Sequence, residues 1–284
     1  MVIHLGLKPI KRPVSLSIAG SDSGGGAGIQ ADLITFARLG SVGTTVITCV
    51  TAQNLDGVAA IHPVPPADIA AQIDAIFLGF PVGGVKTGML YSRAIIDTVG
   101  EALEKNVITR LVVDPVMVAT SGARLLNEDA IAGYAERIFP WAYVMTPNLD
   151  EAEVLLGRSI RDASDMPDAA RDLGERHKCA VFLKGGHLEG NQLVDVLWEK
   201  ETGAVHRWTG TRIIGVGTHG TGCMLSAALT ARLSFGDPLV EACLRAREYV
   251  EHVLLNCTEI SDGRRIPGLS VTESGPIRPR PAGR

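Results

Sequence analysis

The stretch Gly215–Leu229, GVGTHGTGCMLSAAL, brings glycines directly before an Ala/Leu-rich run at helical spacing. A helix start offers unpaired backbone N–H groups and the positive end of the macrodipole. Glycines let a phosphate approach that backbone closely. Cys223 falls in the first turn, where the same field favours a thiolate. An anion cradle beside a base is the arrangement that phosphoryl transfer to an alcohol uses. The same residues also fit a tight turn leading into a core helix with a buried cysteine.

Other chemistry-bearing residues fall where strands are predicted to end. Candidate strands are Val14–Ala19, Thr44–Val50, Val85–Thr87, Leu111–Asp114, Tyr143–Thr146 and Ala180–Lys184. Helix patterns lie between them at 28–39, 67–79, 92–105, 127–138, 149–156 and 166–177. This alternation predicts βαβ units and an α/β fold, with a mostly parallel sheet flanked by helices on both faces. A hairpin of Val194–Glu199 with Val205–Trp208 follows, then helices at 221–234 and 238–256. Ligands of open α/β sheets bind outside the carboxyl ends of the strands. Gly20–Gly28, Thr51–Asn54, Lys86–Met89, Asp114–Met117, Thr146–Asn148 and Lys184–His187 all sit at such ends.

Composition narrows the class. The chain has 284 residues, of which 46% are hydrophobic and 20% charged, as in a globular protein. One domain is expected over residues 14–257, with an N-terminal arm at 1–13 and a polar, Pro/Arg-rich tail at 258–284. A net charge of −4 gives no electrostatic reason to expect nucleic acid as a partner. No segment approaches the ~20 apolar residues of a membrane span, and the N-terminus lacks a secretory core. The five cysteines form no metal pattern and suit free thiols in a reducing cytoplasm.

Taken in order, AGSDSGGGAGIQADL (19–33), VITCVTAQN (46–54), KTGML (86–90), DPVM (114–117), TPNLDEAEVL (146–155), LKGGH (183–187) and THGTGCMLSAAL (218–229) resemble the ribokinase-like superfamily. GGGAGIQAD together with HGTGC is specific to its hydroxymethylpyrimidine/phosphomethylpyrimidine kinase branch. Sugar kinases of the superfamily usually carry Asp where this chain has Cys223. The resemblance spans residues 14–256 and implies an ATP- and Mg²⁺-dependent kinase of thiamine biosynthesis, with a pyrimidine substrate and a homodimeric state. Ile34 and Met224 depart from the pattern, where Lys and Thr are common in relatives.

The resemblance implies roles residue by residue. Gly220, Thr221, Gly222 and Cys223 would form the anion hole, with Cys223 taking the proton of the substrate's hydroxymethyl group. Its thiol, ordinarily near ~8.5, would be lowered by the helix terminus. Lys184, Asn148, Thr218, Gly220 and Gly222 would contact the nucleotide, and Asp114 and Glu151 would serve Mg²⁺. The pyrimidine pocket falls to Gly20, Asp32, Gln53, Met89 and Val116, with Ala119–Ala123 as a flap. The residues alone leave plainer roles open: a dipole-complementing charge for Glu151, a helix-start cap for Asp32, and a packing role for Cys223. His187 fits an ATP contact or a loop role, and His219 a phosphate contact or a structural bond.

Three other functions remain open. A pyridoxal-type kinase would act on a similar hydroxymethyl ring, and a pyrimidine-binding protein would show no turnover. A dehydrogenase would need the G-x-G-x-x-G spacing that the GGGAG run lacks.

Overall fold

The computed structural model describes residues 11–117, 128–186, 188, 190–260 and 262–268. The expected flap at 119–123, His187 and most of both terminal segments lie outside the described residues.

The sheet is nine-stranded, in the order β3-β2-β1-β4-β5-β6-β7-β8-β9. Its strands are β1 (Val14–Asp22), β2 (Val42–Asn54), β3 (Gly57–Pro63), β4 (Val82–Thr87), β5 (Leu111–Val113), β6 (Val144–Met145), β7 (Ala180–Leu183), β8 (Gln192–Trp198) and β9 (Val205–Thr211). The run from β2 to β7 is parallel, and antiparallel strands close both edges. The expected α/β fold with a mostly parallel sheet and the β8–β9 hairpin both hold. The β3 strand is new relative to the sequence reading. Its GVAAIHP sequence is small and largely exposed, so no buried alternation marks it.

Side chains of the short central strands alternate between two cores, as the pleat requires. Val113 and Leu183 join one core with α2 (Pro66–Gly79), α3 (Arg93–Lys105), α5 (Leu149–Leu156) and α6 (Met166–His177). Val112 and Phe182 join the other, against α7 (Thr221–Phe235) and α8 (Leu239–Leu255). The α1 helix (Gly28–Arg38) contributes Ala31 to this second core, and α4 (Glu128–Gly133) contributes Ala130 to the first. Caps set where the helices begin: the Ser92 side chain accepts from the Ile95 N–H at the start of α3. Within α7 nearly every residue from Met224 to Leu233 is buried, because the helix lies between the sheet, α1 and α8. This is why α7 presents almost no solvent-facing side and why its N-terminus is held at the sheet's carboxyl edge.

Two short strands, β10 (Thr258–Glu259) and β11 (Arg265–Ile266), pair antiparallel beyond α8. The Arg265 carbonyl accepts from the Gly217 N–H at 2.8 Å, and Gly268 N–H donates to Val253 at 2.9 Å. Residues 258–260 and 262–268 are thus joined to the domain edge, although their polar sequence suggested a tail. No helix among the described residues is long and apolar enough to cross a membrane.

Candidate active site

The chain enters α7 through Gly220, which has a φ of +80°. A Cβ at this position would also overlap the Gly26 carbonyl oxygen in the loop after β1. Glycine is demanded here both by backbone conformation and by close approach. The two loops are tied again by His219, whose Nε2 lies 3.0 Å from Asp22 Oδ2 and 3.2 Å from Gln53 Nε2. His219 therefore makes the structural bond of its two sequence alternatives. Asp22 also accepts from the Gly24 and Ala27 N–H groups, at 2.8 and 2.9 Å.

Burial pushes the Asp22 carboxyl up, but His219 and the two N–H groups outweigh it and hold it below the ordinary carboxylate value. A carboxyl lowered by folding stabilises fully above its unfolded value, about 3.9, and loses that contribution as pH falls through the folded one. Asp22→Asn is therefore expected to be less stable than the parent chain at neutral pH. That difference should shrink below about pH 4 in urea unfolding curves. A difference that stays constant across this range would refute the assignment.

At the start of α7 the Thr221 N–H bonds to Thr218 O at 3.2 Å, and the Met224 N–H to Gly220 O at 2.9 Å. Gly222 and Cys223, between them, supply the orphan donors of the helix start. Lys184, just past β7, reaches the same turn: its Nζ lies 3.4 Å from where a Cβ on Gly222 would stand. Gly220, Thr221, Gly222, Cys223 and Lys184 thus come together at one helix terminus.

Lys184 Nζ donates to Asp114 Oδ1 at 3.0 Å. Asp114 also accepts from Thr146 Oγ1 at 3.3 Å and from Ser226 Oγ at 3.0 Å. Because Ser226 belongs to α7, this carboxylate is bonded to the helix it faces. Burial alone would lower the Lys184 ammonium, yet Asp114 and Glu151 outweigh it and keep the charge in place. Glu151 and Asn148 form a capping box at α5: Asn148 N–H donates to Glu151 Oε2, and Glu151 N–H to Asn148 Oδ1, each at 2.8 Å. Both residues thus have a local structural use at the start of α5. Burial pushes the Glu151 carboxyl up to about 7, with Lys184 opposing.

Two expectations need correction. Burial pushes the Cys223 thiol up to about 11, where its place in the first turn predicted a lowered value. Lys86 and the Gly28 N–H favour the thiolate, while Asp32 and Asp114 oppose it. At neutral pH the sulfur therefore holds its proton. The second correction concerns Asp32, which is 0% exposed, with Oδ1 2.6 Å from Lys86 Nζ and Oδ2 accepting from the Ser17 hydroxyl at 2.5 Å. It sits one turn into α1 on the face covered by the sheet, not on a pocket surface. The sequence reading placed Lys86 at a strand end without giving it a role, although it is the lone charged residue in the β4 segment VGGVKT.

On the other side of the site, Gly20 and Met89 are neighbours, with Met89 Sδ 3.8 Å from the Cβ position at Gly20. The Val116 N–H bonds to Asp114 O at 2.9 Å, which places Val116 on the same sheet edge. Gln53 accepts from the Thr51 hydroxyl at 3.2 Å. It borders a cavity of about 270 Å³ with Ser23, Ala52, Asn54, Gly57 and Ala59. Arg212, also missed, donates to the carbonyls of Gly186, Leu188 and Gly190 and so shapes the turn after Lys184. No sequence motif marks that clamp, because its partners are backbone oxygens.

Asp114 and Glu151 fit a hard cation such as Mg²⁺, which takes one or two carboxylates and completes its shell with phosphate and water. The described residues contain no group of three or more His, Cys, Asp or Glu able to hold a metal alone.

A family model described as "Phosphomethylpyrimidine kinase" matches residues 22–267. The chain is 49% identical over 242 residues to the thiamine biosynthesis bifunctional protein ThiED of Geobacter sulfurreducens, covering 85% of this chain and 49% of that protein. It therefore spans about half of that relative's length. It is 46% identical over 255 residues to the hydroxymethylpyrimidine/phosphomethylpyrimidine kinase of Rhizobium meliloti, covering 88% of this chain and 94% of that one. Among solved structures, an ADP complex of Bacillus subtilis pyridoxal kinase superposes with a TM-score of 0.82 at 32% identity, covering 90% of this chain and 97% of that chain. With the matched family extending over nearly the whole folded core, the chain belongs to the phosphomethylpyrimidine kinase family.

Proposed function

We propose that this chain transfers the γ-phosphoryl group of ATP to the hydroxymethyl oxygen of 4-amino-5-hydroxymethyl-2-methylpyrimidine. A second transfer to the resulting monophosphate then gives the diphosphate used in thiamine biosynthesis. The observation that carries this reading is the meeting of Lys184 with the Gly220–Cys223 helix terminus. Backbone donors there face an ammonium, so charge spreading over the transferring oxygens is met from both sides.

In this reading Gly220, Thr221 and Gly222 hold the transferring group, while Lys184, Asn148 and Thr218 orient the nucleotide. Asp114 and Glu151 hold Mg²⁺, which when bound neutralises phosphate charge. Gly20, Gln53, Met89 and Val116 line the pyrimidine pocket, with Gln53 able to answer both donors and acceptors on the ring. Asp32 supports the site from below. Homodimerisation and a cytoplasmic location complete the proposal, the latter supported by five free cysteines.

In its thiolate form Cys223 accepts the hydroxyl proton as the new P–O bond forms and the bond to the leaving ADP breaks. Because its thiol stands near about 11, the thiolate fraction should rise about tenfold per pH unit below that value. Turnover should rise with it until another group intervenes. Cys223→Ala is expected to lose this slope and about 100-fold in kcat, with KM for ATP little changed. A variant with near-normal turnover would leave the anion hole as the main catalytic device.

Product analysis with ATP, Mg²⁺ and the hydroxymethylpyrimidine, separating monophosphate from diphosphate over time, tests the whole assignment. The likeness to a pyridoxal kinase favours one competing reading. A kcat/KM preference for pyridoxal of about 100-fold, roughly 2.7 kcal/mol, would establish that reading instead. Pyrimidine binding with no phosphorylated product would indicate a binding protein.

A further inference from the structure

The Asp32–Lys86 pair has 0% exposure on both side chains. Such a pair is weak evidence for stability, since well-packed apolar residues often serve as well or better. What the pair touches gives it another use. Lys86 lies on the face of β4 covered by α7, as Gly84 two residues earlier lies against Ser234 and Thr230. Its Nζ is 2.6 Å from Asp32 Oδ1 and 3.5 Å from the carbonyl oxygen of Cys223. The other Asp32 oxygen is engaged by Ser17, so the ammonium is aimed from a fixed base.

We infer that Lys86, oriented by Asp32 and Ser17, is a positioning residue for phosphoryl transfer: it grips the Cys223 carbonyl from the sheet side and sets a fixed positive charge beside the sulfur. This rests on the proposed role of Cys223 at the reacting oxygen. The charges that act on that sulfur are those of Lys86, Asp32, Asp114 and Lys184, and the Gly28 N–H bonds to it. Of these, Lys86 alone combines a positive charge with a contact to the Cys223 backbone. Lys184 is paired to Asp114 and meets the turn at Gly222.

The test is the pH dependence of Cys223 alkylation by iodoacetamide in the full-length chain, followed by mass spectrometry of the Cys223 peptide, alongside steady-state kinetics. Lys86→Met should slow alkylation at about pH 9 by about tenfold, one unit of thiol pKa. Asp32→Asn should accelerate it. A purely structural role predicts the same direction for both, because loosening exposes the sulfur in either case. Lys86→Met should also lower kcat at least about tenfold while KM for ATP stays within about threefold, and Lys86→Arg should recover part of the loss. If the single variants do not fold, Lys86→Met/Asp32→Asn removes both buried charges. It should keep a wild-type alkylation rate within about threefold yet show the kcat loss. Alkylation that moves in the same direction in both single variants, or unchanged kcat in a folded variant lacking Lys86, overturns the inference. Full turnover in Cys223→Ser would instead remove the assignment of Cys223. The alkylation profiles would still report whether Lys86 acts on the sulfur.

Discussion

Gly220→Ala is expected to lower kcat/KM by about 100-fold or more while leaving the far-ultraviolet circular dichroism unchanged. Two costs coincide at this position. A φ of +80° strains any L side chain, by about 1–2 kcal/mol. The added methyl also meets the Gly26 carbonyl, so one glycine loop must move. Gly26 has little room to retreat, because His219 Cδ2 is 2.9 Å from its own Cβ position and His219 is bonded to Asp22. The α7 turn is therefore the part that shifts, carrying the Thr221 and Gly222 backbone with it. A displacement of about 1 Å at a site that works by positioning is enough for a loss of this size.

Gly222→Ala provides the contrast. No unusual backbone conformation is needed there, and the new methyl would stand 3.4 Å from Lys184 Nζ. Its effect should be smaller and fall mainly on KM for ATP, since the methyl only comes into contact with the ammonium. Steady-state kinetics on both variants separate the two mechanisms. Gly220→Ala with parental kcat/KM would show that the interlocked loops do not position the reacting groups.

The difference between these glycines marks where the sequence stops being legible. The cluster of glycines, Lys184, Asp114 and the NxxE pattern could be placed on one sheet edge, because strand ends follow from alternating β-branched and helical runs. That Gly220 abuts Gly26, or that His219 reaches Asp22, depends on residues far apart in the chain meeting across the crevice. No local pattern encodes such a pairing. The β3 strand was illegible for a related reason: it is recognised by its partners, Asn54 opposite Gly57 and Val50 opposite His62, not by its side chains. The Cys223 ionisation failed differently. Its position in the first turn was read correctly, but the field of a helix start was weighed without the desolvation that burial adds.

Asp32 shows the same gap between position and environment, and it supports a second large effect. Its place near the start of α1 fits a solvated cap or a substrate contact equally well in sequence. Complete burial against Lys86 makes it a structural counter-ion instead. Asp32→Ala leaves an ammonium with no opposing charge in contact, and breaking a buried pair from one side typically costs about 3–5 kcal/mol. Urea unfolding should register that loss directly, while KM for the pyrimidine in the remaining folded enzyme stays close to parental. Asp32→Ala/Lys86→Met should recover most of the stability, because the double change removes the stranded charge along with its partner. A direct substrate contact predicts the reverse pattern: near-parental unfolding, a raised KM for the pyrimidine, and no rescue by the second substitution.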